Sequence, residues 1–260
     1  MGESNNEKTK HVAKYYDNRA KNSDAVKAAG QWGSKDLVPE ICEEICAKIN
    51  IEKEDKILEI GCGSGVLGEI IKDKCNEYVG IDISRGMLQK FLENSKIDTS
   101  LIQCITEILP FREEFFDIVI MNSVTMYFHQ QNQLHTTLKE IERVTRKNGI
   151  IFIGDNVTPD GSYWELTWFQ KMNPYKQKVA KLYIKMRKWL AKKNSRLGGK
   201  WNEIHAEISP KYIQKYFKNK GIVIISESGA SHIKNKKNKK YGENSKRVDF
   251  LIRLGEKSNV

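Results

Sequence analysis

Residues 57–70 read ILEIGCGSGVLGEI, an apolar run interrupted by glycines at 61, 63, 65 and 68 and then resumed. A short apolar run that ends at glycine is the pattern of a strand buried on both faces, as in a parallel sheet. Glycines placed directly after such a strand mean that something approaches the backbone more closely than a side chain would allow. The chain on either side decides what kind of sheet this strand belongs to.

Helix and strand candidates alternate around it. Residues 36–50, DLVPEICEEICAKIN, set Ile41, Ile45 and Ile49 four apart, on one helix face. KILEIG is then a first strand, VLGEIIKDKC a helix, YVGIDIS a second strand, and SRGMLQKFLENSK a helix opened by Ser84 as N-cap. SLIQCIT is a third strand, and FFDIVIMNS, after the turn-prone LPFREE, a fourth. LHTTLKEIERVTRKNG predicts a helix with a basic last turn that stops at Gly149, before a fifth strand, IIFIGD. The alternation predicts an α/β fold: a Rossmann-like, doubly wound, mostly parallel seven-stranded sheet with helices on both faces. Ligands of such sheets bind beyond the carboxyl ends of the strands, where the strand order reverses.

After Asp155 the rhythm breaks, and residues 157–208 predict a helical lid inserted after strand five. SPKYIQKYFKNKG resumes the pattern as a helix with Ser209 as cap, Pro210 at the first position and Gly221 past its end. IVIISES and VDFLIRL are the last strands and suit an antiparallel edge hairpin. The 260 residues suit one core with an insertion. Within a single unit, 1–260, we expect an aromatic-studded cap at 1–35, a core at 36–156, the lid at 157–208, and a final helix with edge strands at 209–255.

Charge is unevenly placed. Lys and Arg number 44 against 33 Asp and Glu, a net +11. Residues 166–202 carry eleven Lys/Arg and no Asp/Glu, and residues 232–247 seven against one Glu. Such fields favour anionic partners. Cys42, Cys46, Cys62, Cys75 and Cys104 form no CxxC pair and are expected to be reduced packing residues. The first sixteen residues, MGESNNEKTKHVAKYY, hold no apolar signal region, and no stretch is apolar enough to span a membrane. The expectation is a soluble cytoplasmic protein without membrane insertion. No HExxH, Ser-His-Asp set or spaced Cys/His cluster occurs, so no metal is expected.

Residues 63–68, GSGVLG, fit the dinucleotide pattern G-x-G-x-x-G, with Asp82 placed to hold a ribose diol. A second register fits the same letters: Glu59-x-Gly61-x-Gly63-x-Gly65. A pyrophosphate wants helix N–H groups and positive potential, whereas a ligand with cationic groups tolerates an acid at the strand end. The succession ILEIGCGSG, YVGIDIS, LPFREEFFDIVIMNSV and LKEIERVTRKNGIIFIGD, over about residues 55–156, resembles the class I S-adenosylmethionine-dependent methyltransferases of the small-molecule type. The resemblance implies S-adenosylmethionine as cofactor. It implies that Glu59, Gly61 and Gly63 border the methionyl end, the glycines making room for it, and that Asp82 accepts both ribose hydroxyls. Ile83 and Met87 would sandwich the adenine. Thr106 and Glu107 would lie beside its amino group, with Ile105 where the family often has Asp. Asn122 and Ser123 would line the amino acid end, and Tyr15, Tyr16 and Trp32 would close over the cofactor.

Methyl transfer is an in-line displacement governed by alignment. An anionic acceptor oxygen needs only positioning, whereas an alcohol or phenol needs a base. His129 and Tyr127, just past strand four, are the catalytic candidates; His135 and His205 are more remote. Arg187, Arg196, Lys200 and His205 of the insert are expected to bind a small anionic acceptor, phosphate-bearing or nucleotide-linked, that is methylated on oxygen. MYF after strand four and GDNVTPD after strand five resemble methyltransferases of bacterial surface-polysaccharide loci, some of which act in making methylated phosphoramidate capsule groups. The alternatives are methylation of another small molecule, on nitrogen or a hydroxyl oxygen, and an RNA methyltransferase with Trp164, Trp168, Trp189 and Trp201 as stacking groups. The chain reads Asn122-Ser123-Val124-Thr125 where base-amino methylases carry Asn-Pro-Pro-Tyr/Phe, which argues against amino-methylation of bases by that route; no stable nucleic-acid complex is expected. A membrane- or partner-docking module is a third reading, and the oligomeric state is not legible.

Overall fold

The computed structural model describes residues 5–29, 35–95, 99–128, 130–157, 210–228 and 247–255. Seven strands form one sheet: β1 (Lys56–Ile60), β2 (Glu77–Asp82), β3 (Ser100–Gln103), β4 (Phe116–Asn122), β5 (Thr145–Val157), β6 (Gly221–Glu227) and β7 (Arg247–Leu254). Their order is β3-β2-β1-β4-β5-β7-β6. The first five pair in parallel, and β7 lies antiparallel between β5 and β6. The expected terminal hairpin is therefore present, with β6 as the edge and β7 inside.

Successive strand residues serve opposite faces. Leu58, Ile60, Val119, Met121, Ile151 and Ile153 pack with Leu134, Leu138 and Ile141 of α6 (Gln131–Val144) and with Ile213 and Phe217 of α7 (Pro210–Phe217). Ile57, Ile118, Ile120 and Phe152 face the other way. They meet Ile41, Ile45 and Ile49 of α3 (Val38–Ile49), Ile71 of α4 (Gly68–Ile71), and Leu88 and Phe91 of α5 (Arg85–Asn94). Cys42 and Cys46 are buried in that second core, and all five cysteines are free. The N-terminal segment adds α1 (Asn5–Ala20) and α2 (Ala25–Ala29). No helix of the described residues is long and apolar enough to cross a membrane.

Three local expectations are corrected. The helix after the glycines is a single turn, α4. The N–H groups of Asn76 and Glu77 both bond to Asp55 O, at 3.0 and 3.3 Å, which fixes where β2 begins and leaves room for little more. Helix α6 ends at Val144 rather than at Gly149. Its last carbonyls are taken by the preceding loop, Glu114 N–H donating to Arg143 O and Phe115 N–H to Val144 O, each at 2.9 Å. Thr145 Oγ–H caps Ile141 O at 2.6 Å, and Gly149 falls inside β5, next to a register shift. Gly221 likewise opens β6 instead of stopping α7, which ends at Phe217. Ser209 and the lid, apart from Val157 in β5, lie outside the described residues.

Candidate active site

A cleft opens at the carboxyl ends of β1, β2 and β4, where the order of the sheet reverses; it encloses about 1000 Å³, its mouth included. Its wall contains Glu59, Gly61, Gly63, Asp82, Ile83, Met87, Thr106, Glu107, Asn122, Ser123, Tyr16 and Tyr127, so the structure brings together the described residues of the expected site except Tyr15. Trp32, His129, Arg187, Arg196, Lys200 and His205 lie outside the described residues. His135 sits on α6, its Nδ1 2.8 Å from the Tyr212 hydroxyl of α7, and is not part of the wall.

The glycines divide their labour. A methyl group on Gly61 would overlap Val124 Cγ2, and one on Gly65 would overlap the Phe91 ring. Only at Gly63 (φ +55°) would it meet nothing within 4 Å. The expectation that the glycines as a group make room for a ligand is thereby corrected. At Gly61 and Gly65 the protein itself fills the Cβ position, and of these three only Gly63 has open space there, although Gly61 also lines the cleft.

Asp82 is held from two sides: Gly63 N–H donates to its Oδ2 at 2.9 Å and Ser84 N–H to its Oδ1 at 2.8 Å. Burial nevertheless pushes its carboxyl up to about 6, with the charge of Asp17 adding to the rise. Ser84 caps α5 as expected, accepting Met87 N–H at 3.1 Å. Its hydroxyl donates onward to Asp17 Oδ1 of α1 at 2.6 Å, and Gly86 N–H donates to the same oxygen at 2.9 Å. Burial pushes Glu59 up to about 8, opposed by the Tyr78 hydroxyl that donates to its Oε2 at 2.5 Å.

The far end of the cleft is phenolic. The hydroxyls of Tyr16 and Tyr127 bond to each other, with the rings edge-on at 5.5 Å. Burial raises both phenols, that of Tyr16 well above its ordinary range, so both stay protonated at neutral pH. Tyr15 packs against Tyr16 without reaching the wall. Thr106 is bonded to Glu107 and, at 2.7 Å, to Thr137 of α6. Ser123 Oγ–H donates to Asp155 Oδ2 at 2.6 Å. Sequence reasoning passed over Asp155, Asp17 and Cys62, and also Val124, Phe128 and Gln133 of the wall. Asp155 carried a usable signal, an acid directly at the end of strand five.

Among the described residues the wall bears three carboxyl groups, of Glu59, Asp82 and Glu107, and no Lys, Arg or His. A pyrophosphate would lack a counter-charge there, and the helix after the glycines is only four residues long. The fold is α/β, and the described part of its cleft is acidic.

Residues 58–153 match the family described as Methyltransferase domain. The uncharacterized methyltransferase C70.08c of Schizosaccharomyces pombe is 28% identical over 127 residues, 45% of this chain and 48% of that protein. The 18S rRNA (guanine-N(7))-methyltransferase bud23 of the same yeast is 36% identical over 104 residues, 38% and 39% of the two chains. The chain thus spans about half or less of the curated relatives it matches. The structure of Haemonchus contortus phosphoethanolamine N-methyltransferase 1, in complex with phosphoethanolamine and S-adenosylhomocysteine, has a TM-score of 0.68 at 14% identity. The match covers 99% of this chain and 51% of that one. Residues 58–153 thus match a methyltransferase domain, and the fold is that of a structure holding S-adenosylhomocysteine, the product of the cofactor S-adenosylmethionine.

Proposed function

We propose that the protein transfers a methyl group from S-adenosylmethionine to a small acceptor bearing a phosphate-type group, at oxygen. The observation that supports this best is the acidic cleft, in which Asp82 faces the one glycine with open space before it. In this reading Asp82 accepts the two ribose hydroxyls, a paired charge-assisted contact. Ile83 and Met87 enclose the adenine, with Thr106 and Glu107 at its edge. Glu59, Gly61, Gly63, Asn122 and Ser123 surround the methionyl end.

The bound cofactor supplies an electrophilic methyl group on a sulfonium. The chain's part is alignment: Tyr16 and Tyr127 close the far end and exclude water from the line of attack. As protonated phenols they orient an acceptor oxygen by hydrogen bonding and do not take its proton. That suits an acceptor already ionised at neutral pH. His129 and the basic residues of the insert, Arg187, Arg196, Lys200 and His205, are assigned to the acceptor side. A role in surface-polysaccharide synthesis is a narrower form of the same proposal.

The Asp82 carboxyl adds a pH test. Its folded pKa of about 6 lies above the ordinary value near 3.9. Its ionised form therefore disfavours the folded state above about pH 6, and this effect is relieved as the pH falls towards 4. Ligand binding runs the other way, because only the carboxylate accepts both hydroxyls. S-adenosylhomocysteine affinity, measured by calorimetry, is expected to be about tenfold weaker at pH 5 than at pH 7.5. A flat profile would remove Asp82 from the contact.

Acceptor class is tested by incubating the protein with S-adenosylmethionine and separate pools of phosphorylated metabolites, neutral metabolites and RNA, followed by mass spectrometry. A gain of one methylene in a phosphorylated small molecule is the expected result. The likeness to the guanine-N7 rRNA methyltransferase favours RNA as the second reading. A gain confined to the RNA pool would establish that one instead.

A further inference from the structure

Past Asn122, strand β4 gives way to the loop that carries Tyr127 to the far end of the cleft. Two hydroxyls of that loop bond to consecutive residues of β5. Ser123 Oγ–H donates to Asp155 Oδ2 at 2.6 Å, and Thr125 Oγ1–H donates to Asn156 Oδ1 at 2.7 Å. Asp155 and Asn156 mark an irregularity in the sheet. Between the pairs Ile153↔Phe250 and Asn156↔Val248, β5 advances three residues while β7 advances two. The extra residue makes a bulge, and Asp155 within it has left-handed backbone, φ 56°. Bulges bend a strand and re-aim its side chains, and they recur beside active sites.

The Asn156 amide is fully engaged. Its Nδ2 donates to Ile153 O of its own strand at 2.7 Å and to Val248 O of β7 at 3.0 Å, which closes the bulge. Its Oδ1 is left to accept the Thr125 hydroxyl. Turning the amide over would set its oxygen against two carbonyls, so only one orientation serves. Asn156 is 1% exposed and Thr125 5%, and neither lines the cleft.

From Thr125 the path to the cleft is short and stiff. Thr125 opens a single tight turn, Thr125–Tyr127, with Tyr127 N–H bonded to Val124 O at 3.0 Å and Phe128 N–H to Thr125 O at 3.2 Å. Phe128 anchors one end of this turn in the core, and the bond to Asn156 anchors the other. Between them stands Tyr127, whose phenol lines the cleft and meets that of Tyr16.

We propose that Asn156 is a positioning residue for methyl transfer: it holds Thr125, and through that turn it sets where the Tyr127 phenol stands against the acceptor. Alignment governs an in-line displacement, so a small shift of the phenol lowers the rate and leaves cofactor affinity alone. The assignment rests on methyl transfer and on the role given to Tyr127 above, and it holds for any class of acceptor.

Substituting Asn156 itself would also open the bulge, so the link is cut from the other side. Thr125→Val keeps the shape and removes only the hydroxyl, and Thr125→Ser restores it; Thr125→Ala cuts the same link if the valine variant does not fold. The first measurement needs no acceptor. Protein carrying ring-carbon-labelled tyrosine is saturated with S-adenosylhomocysteine and followed by carbon NMR, the Tyr127 signal being assigned by its loss in Tyr127→Phe. That signal is expected to shift or broaden in Thr125→Val and to return in Thr125→Ser. The second is the initial rate of methyl transfer from S-adenosylmethionine to the pooled phosphorylated metabolites. It is expected to fall by about tenfold or more in Thr125→Val and to recover in Thr125→Ser, with S-adenosylhomocysteine affinity within about twofold of the parent throughout. A bond that serves stability alone would lower Tm and leave both the signal and the rate as in the parent. Either an unmoved Tyr127 signal or an unchanged rate overturns the assignment. If the parent methylates only the neutral or the RNA pool, the phosphate reading falls, and the rate on that pool decides the role of Asn156.

Discussion

Asp82→Ala is expected to weaken S-adenosylhomocysteine binding by at least about a hundredfold, since each charge-assisted bond contributes roughly 1.5–3 kcal/mol and two are lost. The side chain also receives the Gly63 and Ser84 N–H groups, so the variant loosens the loop that carries the open glycine. Asp82→Asn separates the two effects. It keeps an acceptor for one backbone donor and removes the charge, and should fall between the alanine variant and the parent. Titration calorimetry at pH 7.5 measures both. Parent-like affinity in Asp82→Ala, or binding of NADH by the parent, would overturn the cofactor assignment.

The second large effect concerns stability. Gly65 has φ +82°, and an added methyl group would enter the ring of Phe91, which is fully buried among Ile57, Tyr78 and Leu88. Gly65→Ala is expected to cost about 3–4 kcal/mol, the sum of a left-handed backbone penalty and core overpacking. That would lower Tm by roughly 10 °C in a chain of this size. Gly63→Ala makes the informative contrast. Its backbone penalty is about 1 kcal/mol and its methyl group clashes with nothing, so thermal unfolding should shift by only a few degrees. The same methyl group projects into the cleft and should weaken S-adenosylhomocysteine by at least about tenfold. Similar melting behaviour in the two variants would mean that the loop is not divided as described.

What was legible in the sequence is what depends on local pattern. Apolar runs bounded by turns locate β1, β2, β4 and β5, and Ser84 before an apolar helix gives the N-cap that the structure shows. The wall residues Glu59, Asp82, Asn122 and Ser123 follow because a doubly wound sheet presents its strand ends on one edge. Less legible was whatever depends on a distant partner. The space beside Gly61 and Gly65 reads as open to a ligand because no local rule shows that Val124 and Phe91 occupy it. The end of α6 was misplaced because its last carbonyls are satisfied by residues far earlier in the chain, Glu114 and Phe115. Arg247 read as part of a basic loop because only the antiparallel insertion of β7 carries it to the ligand edge.

One wall of the cleft comes from the first turns of the chain, and Asp17 fastens that wall to the Ser84 whose amide grips Asp82. Trimming the N-terminus to shorten the protein would therefore do more than remove a loose tail. It would uncap the second core helix from outside and widen the mouth. It would also leave the Asp82 carboxylate in wetter surroundings, with a more ordinary acidity. An amino-terminal deletion meant as a simplification would in effect be an active-site variant.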